Sequence, residues 1–438
     1  VQTVATVFFR DAFTRYCQRH FGSLMTVRFV GMGEFVVVSD PDLIREVFTG
    51  DREVLRGGEA NARGLGAFMR ASVLVLDGEQ HMRLRKLMLP PFHGEAVRRY
   101  AETIGNIAAA EIERWPVGDA FALLPRMRAI TLEAILRAVI GVRDEERLQR
   151  LRSVLPGVLR VSQFAMFAET TYPQLVENPV GRRLPWLRAR REAYRLLDEE
   201  IAAHRSSPDG REDILAMLIA ARDQEGRPLD DEELRDQLIT LLLAGHETTA
   251  SALSWCLELL VRHPPVLARL QREMVQADAD GCNAYLEAVI DETLRLRPVV
   301  DAVARKLASP LQLAGHTLPT GTMLAVSIIG AQRLELFADP DRFKPERFLD
   351  QPAPPYALIP FGGGTRRCIG ASFATMEMKT VLRAVLERVN LRAASRSAER
   401  PTRWRSFTTV PSRGARVVLA VRRPVPQTAA QSASATNG

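Results

Sequence analysis

A chain of 438 residues, 46% of them apolar, carries enough hydrophobic content for a sizeable core, which excludes an intrinsically disordered polymer. The formal charge of +7 arises from 59 Lys and Arg interspersed with 52 Asp and Glu. With no zinc-finger spacing and no aromatic-rich basic motif, it excludes nucleic acid as a partner and points to a local basic patch for an acidic protein. Cys17, Cys256, Cys282 and Cys368 show neither paired metal spacing nor a disulfide framework, as expected of a reducing, cytoplasmic compartment.

Taken in chain order, Val1 to Phe9 is short and runs into Arg10, Asp11 and Arg15, so it predicts neither a signal peptide nor a membrane anchor. Residues 24 to 38 alternate and bend through Gly31 and Gly33, the pattern of a small antiparallel sheet. The pair Gly31 and Gly33 lacks the third glycine of a dinucleotide loop and reads as a hairpin turn. From about 77 to 300 the pattern is mostly helical. Asp77 and Gln80 stand at capping-box positions, with His81 and Arg85 one turn apart on one face. Between 156 and 190, prolines interrupt a segment holding Phe164, Met166, Phe167, Tyr172 and Trp186, which either closes a core or lines a lid over a lipophilic pocket.

Asp230 to His263 is one continuous helical pattern, with Asp230 as N-cap and Glu233 completing the box. Its apolar stretch Leu238 to Gly245 is too short to span a bilayer. The middle of the run reads Ala244-Gly-His-Glu-Thr-Thr249, which places an acid, Glu247, and a hydroxyl, Thr248, among apolar residues. Buried polar groups require partners. One arrangement is a Thr248-to-backbone bond with Glu247 in a salt bridge; the other is a proton relay. Glu292 and Arg295, three apart, share a helix face. Short strands are expected at Leu311 to Leu313, Met323 to Ile329 and Ala415 to Val421, and residues 424–438 compose a disordered tail. With no linker or repeat, residues 1–423 read as one catalytic domain that is mainly α with minor β (α+β).

The run Phe361-Gly-Gly-Gly-Thr-Arg-Arg-Cys-Ile-Gly370 puts one cysteine on a glycine-rich loop directly before an apolar helical stripe. Three glycines permit tight turns and close approach of a flat ligand. Loop amides, the helix end, Arg366 and Arg367 are all expected to lower the Cys368 pKa, whereas a buried small hydrophobe explains Cys17, Cys256 and Cys282. No histidine can be placed against Cys368 as in a cysteine protease.

This run resembles the cysteine-ligand signature of the cytochrome P450 monooxygenases, with Phe361, Gly364, Arg366, Cys368 and Gly370 at the motif's positions. Four further segments extend the resemblance over roughly residues 20 to 420. It implies a triangular helix-rich body with small antiparallel sheets and a long central helix over haem b (iron protoporphyrin IX), Cys368 being the iron ligand. His81, Arg85, Arg305 and Arg366 then resemble propionate donors, and Ala244 and Phe361 contact the cofactor. Glu292, Arg295 and Arg347 resemble a bracing network that performs no chemistry; Gln332 departs from the family, many members of which carry His there. Glu247 and Thr248 resemble the oxygen-activation pair that delivers protons to O2.

The implied reaction inserts one atom of O2 into a C–H bond. Electrons come from NAD(P)H through a ferredoxin or flavodoxin and its reductase, docking near Arg83, Arg85, Lys86, Arg98 and Arg99 on a monomer. Phe68, Met69, Leu241, Val300 and Phe407 are the pocket candidates, and their apolar character implies a steroid, terpenoid or fatty acid. A non-catalytic haem-containing carrier or sensor, or an isomerase or dehydratase, would use the same scaffold, but mere binding has no need of Glu247 and Thr248.

Overall fold

The computed structural model describes residue 2 and residues 10–30, 33–65, 69–159, 184–208, 210–275, 284–402 and 408–423. The candidates Phe68 and Phe407, most of the proline-rich 156–190 segment and the tail from 424 lie outside these residues.

After α1 (Arg10–Phe21), the alternating stretch forms β1 (Leu24–Phe29) and β2 (Gly33–Val38), antiparallel from Leu24 opposite Val38 to Phe29 opposite Gly33. Helix α2 (Pro41–Thr49) follows, its N-terminus held by the Asp40 carboxylate, which accepts from the Asp42 and Leu43 amides. A two-residue strand, β3 (Leu55–Arg56), leads into α3 (Gly57–Leu65) and then α4 (Gly78–Met88).

The helical body continues through α5 (Glu95–Ile112), the short β4 (Ala120–Ala122), α6 (Leu123–Ala134), α7 (Glu145–Leu159), α8 (Pro185–Ser206) and α9 (Ile214–Ala220). At its centre runs α10 (Asp231–Arg262), 32 residues long, with the expected Asp230/Glu233 capping box formed in both directions. Its second half is apolar nearly all round because other helices cover it: Leu253, Trp255, Cys256 and Leu260 are fully buried. Helices α11 (Pro264–Val275) and α12 (Ala284–Leu296) close this region. Among the described residues, no helix is long and apolar enough to cross a membrane.

Past α12 the chain returns to the first sheet through β5 (Ala302–Leu307), the hairpin β6 (Leu311–Leu313) and β7 (His316–Leu318), and β8 (Met323–Ser327). The order is β1-β2-β8-β5-β3. The 24–38 pairing is antiparallel as expected, while β2 and β8 run parallel from Phe35 beside Met323 to Val38 beside Val326. Every residue of β8 is buried, as an unbroken apolar run in a covered, part-parallel sheet should be. The short helices α13 (Ile328–Ala331) and α14 (Arg347–Asp350) precede the Cys368 loop and α15 (Ala371–Arg388); the strands β9 (Val389–Ala393), β10 (Pro401–Thr402), β11 (Val410–Pro411) and β12 (Arg416–Arg422) end the chain's described part. Among the described residues three apolar clusters result: a large one among the helices, a smaller one between the first sheet and α2, and a third of Phe35, Ala60, Met323 and Ala325.

Candidate active site

Cys368 sits between a 3-10 turn (Gly364–Arg366) and the N-terminus of α15. Its amide donates to the Phe361 carbonyl at 2.9 Å, closing the loop, and the Gly370 N–H hydrogen-bonds the sulfur. The glycines divide their labour differently from the expectation. A side chain at Gly363 would strike the Phe48 ring, and one at Gly364, where φ is +64°, would strike the Phe48 carbonyl at 2.0 Å, so both serve packing against α2. Gly362 and Gly370 instead face open space, with no atom within 4 Å of a built Cβ.

Cys368 is open to solvent on one side and crowded by protein on the others. Burial pushes its thiol above the ordinary value, outweighing the Gly370 amide, Arg367 and Arg85, so the expected lowering is corrected. The loop alone does not make a thiolate; a coordinated metal deprotonates a thiol through its own charge.

Beside the cysteine lies a concentration of basic side chains. His81 and Arg305 are buried, and Arg85 and Arg366 are partly so. Burial first, then Arg366 and Arg85, hold His81 down to about 4; burial, then Arg366, hold Arg305 down to about 10. Asp77 is the carboxylate that answers them, pairing with Arg366 at 2.6 Å. It does not cap α4 as predicted, because its two oxygens accept the Gly58 and Glu59 amides at 2.9 and 2.7 Å and so hold the start of α3. A cluster short of negative charge fits a group with two carboxylates, and the open faces of Gly362 and Gly370 fit a flat one. Among the described residues, no group of three or more His, Cys, Asp or Glu is placed to hold a bare metal ion.

On α10, Ala244 is exposed and Thr248 half-buried. Gly245 serves helix packing, since a Cβ there would lie 3.1 Å from Ile135. Thr248 Oγ1 donates to the Ala244 carbonyl at 2.5 Å, and the Glu247 carboxylate takes both arms of the Arg128 guanidinium from α6, Nε to Oε2 at 2.8 Å. Both polar side chains are therefore satisfied inside the protein. Arg128 was not foreseen, and neither was Glu377 on α15. Fully enclosed, Glu377 leaves Oε1 without a hydrogen bond, meets the Thr249 hydroxyl, and is pushed by burial up to about 8. An acid interrupting the apolar stripe of α15 was the available sign.

Glu292, Arg295 and Arg347 come together as expected. Glu292 and Arg295 are fully buried and paired through Nε to Oε2 at 2.7 Å and Nη2 to Oε1 at 3.0 Å, while Arg347 Nε reaches both carboxylate oxygens at 3.2 and 3.1 Å. Gln332 carries this network to the cysteine loop. Its amide donates to the Leu294 carbonyl at 2.9 Å and its oxygen accepts from the Ile359 amide at 3.1 Å, two residues before Phe361.

The pocket candidates fare unequally. Leu241 and Val300 are half-buried, but Met69 is only 1% exposed and belongs to the large core. The proposed docking patch also contracts. Arg83 is committed to Asp223 at 2.7 Å and Glu233 at 2.6 Å and Arg85 is half-buried, whereas Lys86, Arg98 and Arg99, the last 3.3 Å from Glu212, are exposed, as is Arg367 beside the cysteine.

The helical body, the minor sheets and the braced Cys368 loop define an enzyme of the monooxygenase class. The chain belongs to the cytochrome P450 family, whose sequence model matches residues 9–417. It is 45% identical over 443 residues to a putative cytochrome P450 135B1 of Mycobacterium tuberculosis, covering 99% of this chain and 92% of that protein. A putative cytochrome P450 137 of the same species is 39% identical, over 91% of this chain and 83% of the other. Among solved structures, the retinoic-acid-bound cyanobacterial CYP120A1 superposes with a TM-score of 0.82 at 26% identity, covering 96% of each chain.

Proposed function

We propose that residues 1–423 form one catalytic unit that binds haem b and inserts one atom of O2 into a C–H bond of a lipophilic molecule. The observation that carries this reading is Cys368, the one exposed cysteine among the described residues, beside three guanidinium groups and the His81 imidazole, with Asp77 as the carboxylate paired to Arg366. His81, Arg85, Arg305 and Arg366 would hold the propionates, and Cys368 the iron. When bound, such a group supplies O2 reduction and C–H oxidation, with thiolate donation favouring O–O cleavage.

The chain's own work is to hold, orient and deliver protons. Thr248 turns its hydroxyl from the Ala244 carbonyl toward the open side of α10 to hold a water, and Glu247 passes protons inward from its place beside Arg128. Leu241 and Val300 exclude water and present an apolar substrate. Retinoic acid in a protein of the same fold, itself an isoprenoid acid, supports a terpenoid, steroid or fatty-acid substrate. Electrons from NAD(P)H reach the site through a ferredoxin or flavodoxin whose acidic surface meets Lys86, Arg98 and Arg367.

The test is the spectrum of the reduced carbon monoxide complex. A strongly red-shifted Soret band is expected, lost in Cys368→Ser; its retention in that variant refutes the ligand assignment. With a substrate found by spin-state titration, Thr248→Ala should divert reducing equivalents to peroxide. Unchanged coupling would count against the relay.

A further inference from the structure

Residues 69–77 cross from α10 to the Cys368 loop without joining any sheet, so their peptide groups need partners from elsewhere. Turns within the segment supply some, the Val75 and Leu76 amides donating to the Ser72 carbonyl at 3.0 and 3.3 Å, and side chains supply others. On α10, the buried Gln237 accepts from the Val73 amide at 3.0 Å and donates to the Ala71 carbonyl at 2.7 Å. Pairing with the carbonyl of one residue and the amide two further on is what a neighbouring parallel strand would do, so a single side-chain amide stands in for a strand. Asp236, also buried, accepts from the Ala71 amide at 2.8 Å. Thr240 completes the set: its hydroxyl meets Ser72 Oγ at 2.7 Å and lies 3.4 Å from the Met69 sulfur.

At its other end the same segment is held from the opposite side of the molecule. Asn61 of α3 donates to the Leu74 carbonyl at 2.9 Å, and Arg366 donates to the Leu76 carbonyl and to Asp77. The segment therefore spans from one turn before Leu241 and Ala244 to the residue two before Cys368.

We infer that Asp236 and Gln237, which bond the backbone of the segment, and Thr240, which meets its Ser72 and Met69 side chains, form a clasp that sets where residues 69–77 stand as a wall of the substrate site, and so act as positioning residues for substrate choice. This inference rests on the monooxygenase reading for its consequence, although the clasp itself does not. Each member is separated from its partner by more than 160 residues of chain, so the clasp fixes a distance that nothing local sets.

The experiment compares the haem-loaded protein with Gln237→Leu and Thr240→Val, and with Thr240→Ser as the conservative variant. Hydrogen–deuterium exchange in residues 69–77 should rise about tenfold or more in the first two, with the rest of the chain unchanged, and return toward normal in Thr240→Ser. Spectral titration with imidazole, too small to reach the wall, should give the same affinity throughout. The bulky azole clotrimazole should change its affinity by about tenfold relative to imidazole. An unaltered exchange pattern, exchange raised throughout the chain, or an unchanged azole ratio would each overturn the inference. Should Gln237→Leu fail to fold, Thr240→Val, which removes one hydroxyl, carries the same expectations. A wild-type protein that takes up no haem would defeat the monooxygenase reading instead, and exchange measured without haem would still judge the clasp.

Discussion

Two buried groups of charges flank the cysteine loop, and they are built on opposite terms. In the Glu292–Arg295–Arg347 group every strong donor has an acceptor: Arg295 adds the carbonyls of Gln332 at 3.0 Å and Pro340 at 2.7 Å to its pair with Glu292. In the His81–Arg85–Arg305–Arg366 group, three guanidinium groups crowd one another and a buried imidazole, and burial together with those neighbours pushes His81 and Arg305 below their ordinary pKa values. A network closed on itself braces a fold, whereas one left short of negative charge is suited to an anionic ligand.

Removing one member from each group tests the contrast. Arg295→Ala leaves the Glu292 carboxylate, at zero exposure, with only Arg347 and the Lys344 amide as partners and should cost about 3 kcal/mol. Equilibrium unfolding in urea would measure it. Arg305→Ala should behave in the opposite sense before haem is bound. The folded state disfavours the charged guanidinium, so the variant's haem-free melting temperature should equal or exceed that of the parent. Its haem should transfer to apomyoglobin about tenfold faster or more, since a charge-assisted partner is gone. Equal destabilisation by both substitutions would erase the distinction.

A smaller effect belongs to Glu377, on the helix that follows the loop. Its carboxyl is raised from 4.5 to about 8, so the folded protein keeps a proton that the unfolded chain releases across that interval. Stability therefore falls as pH rises from about 4.5 to about 8, by at most about 1.4 kcal/mol per pH unit, and this contribution is level on either side. Glu377→Gln removes that slope and should raise the melting temperature most near pH 8. Parallel melting curves for the two proteins between pH 5 and 8 would contradict it.

What was legible in the chain was contiguous or repeated at helical spacing. Cys368 was found because its glycines and arginines are neighbours in sequence, and the Asp230/Glu233 cap and the Glu292/Arg295 pair because three residues make one turn. Partners across the fold were not legible. Arg128 stands 119 residues from Glu247, and Arg366 stands 289 from Asp77, so neither pair leaves a periodic trace. Gln332 looked like a minor departure from the family, yet its side chain ties α12 to the amide of Ile359.

The thiol shows where local reading ends. Glycines, arginines and a helix terminus are all local, and each one favours a thiolate, so residue order was enough to identify Cys368 and the family's chemistry. Burial is a property of everything packed around the sulfur, and it reverses the balance to raise the pKa. The same holds for the pocket: Met69 is apolar in any reading, but packing placed it in the core, and Gln237 and Thr240 hold the wall beside it. Short-range pattern encodes which groups are present, and long-range packing sets their solvation and their distances, which is where reactivity and substrate choice are decided.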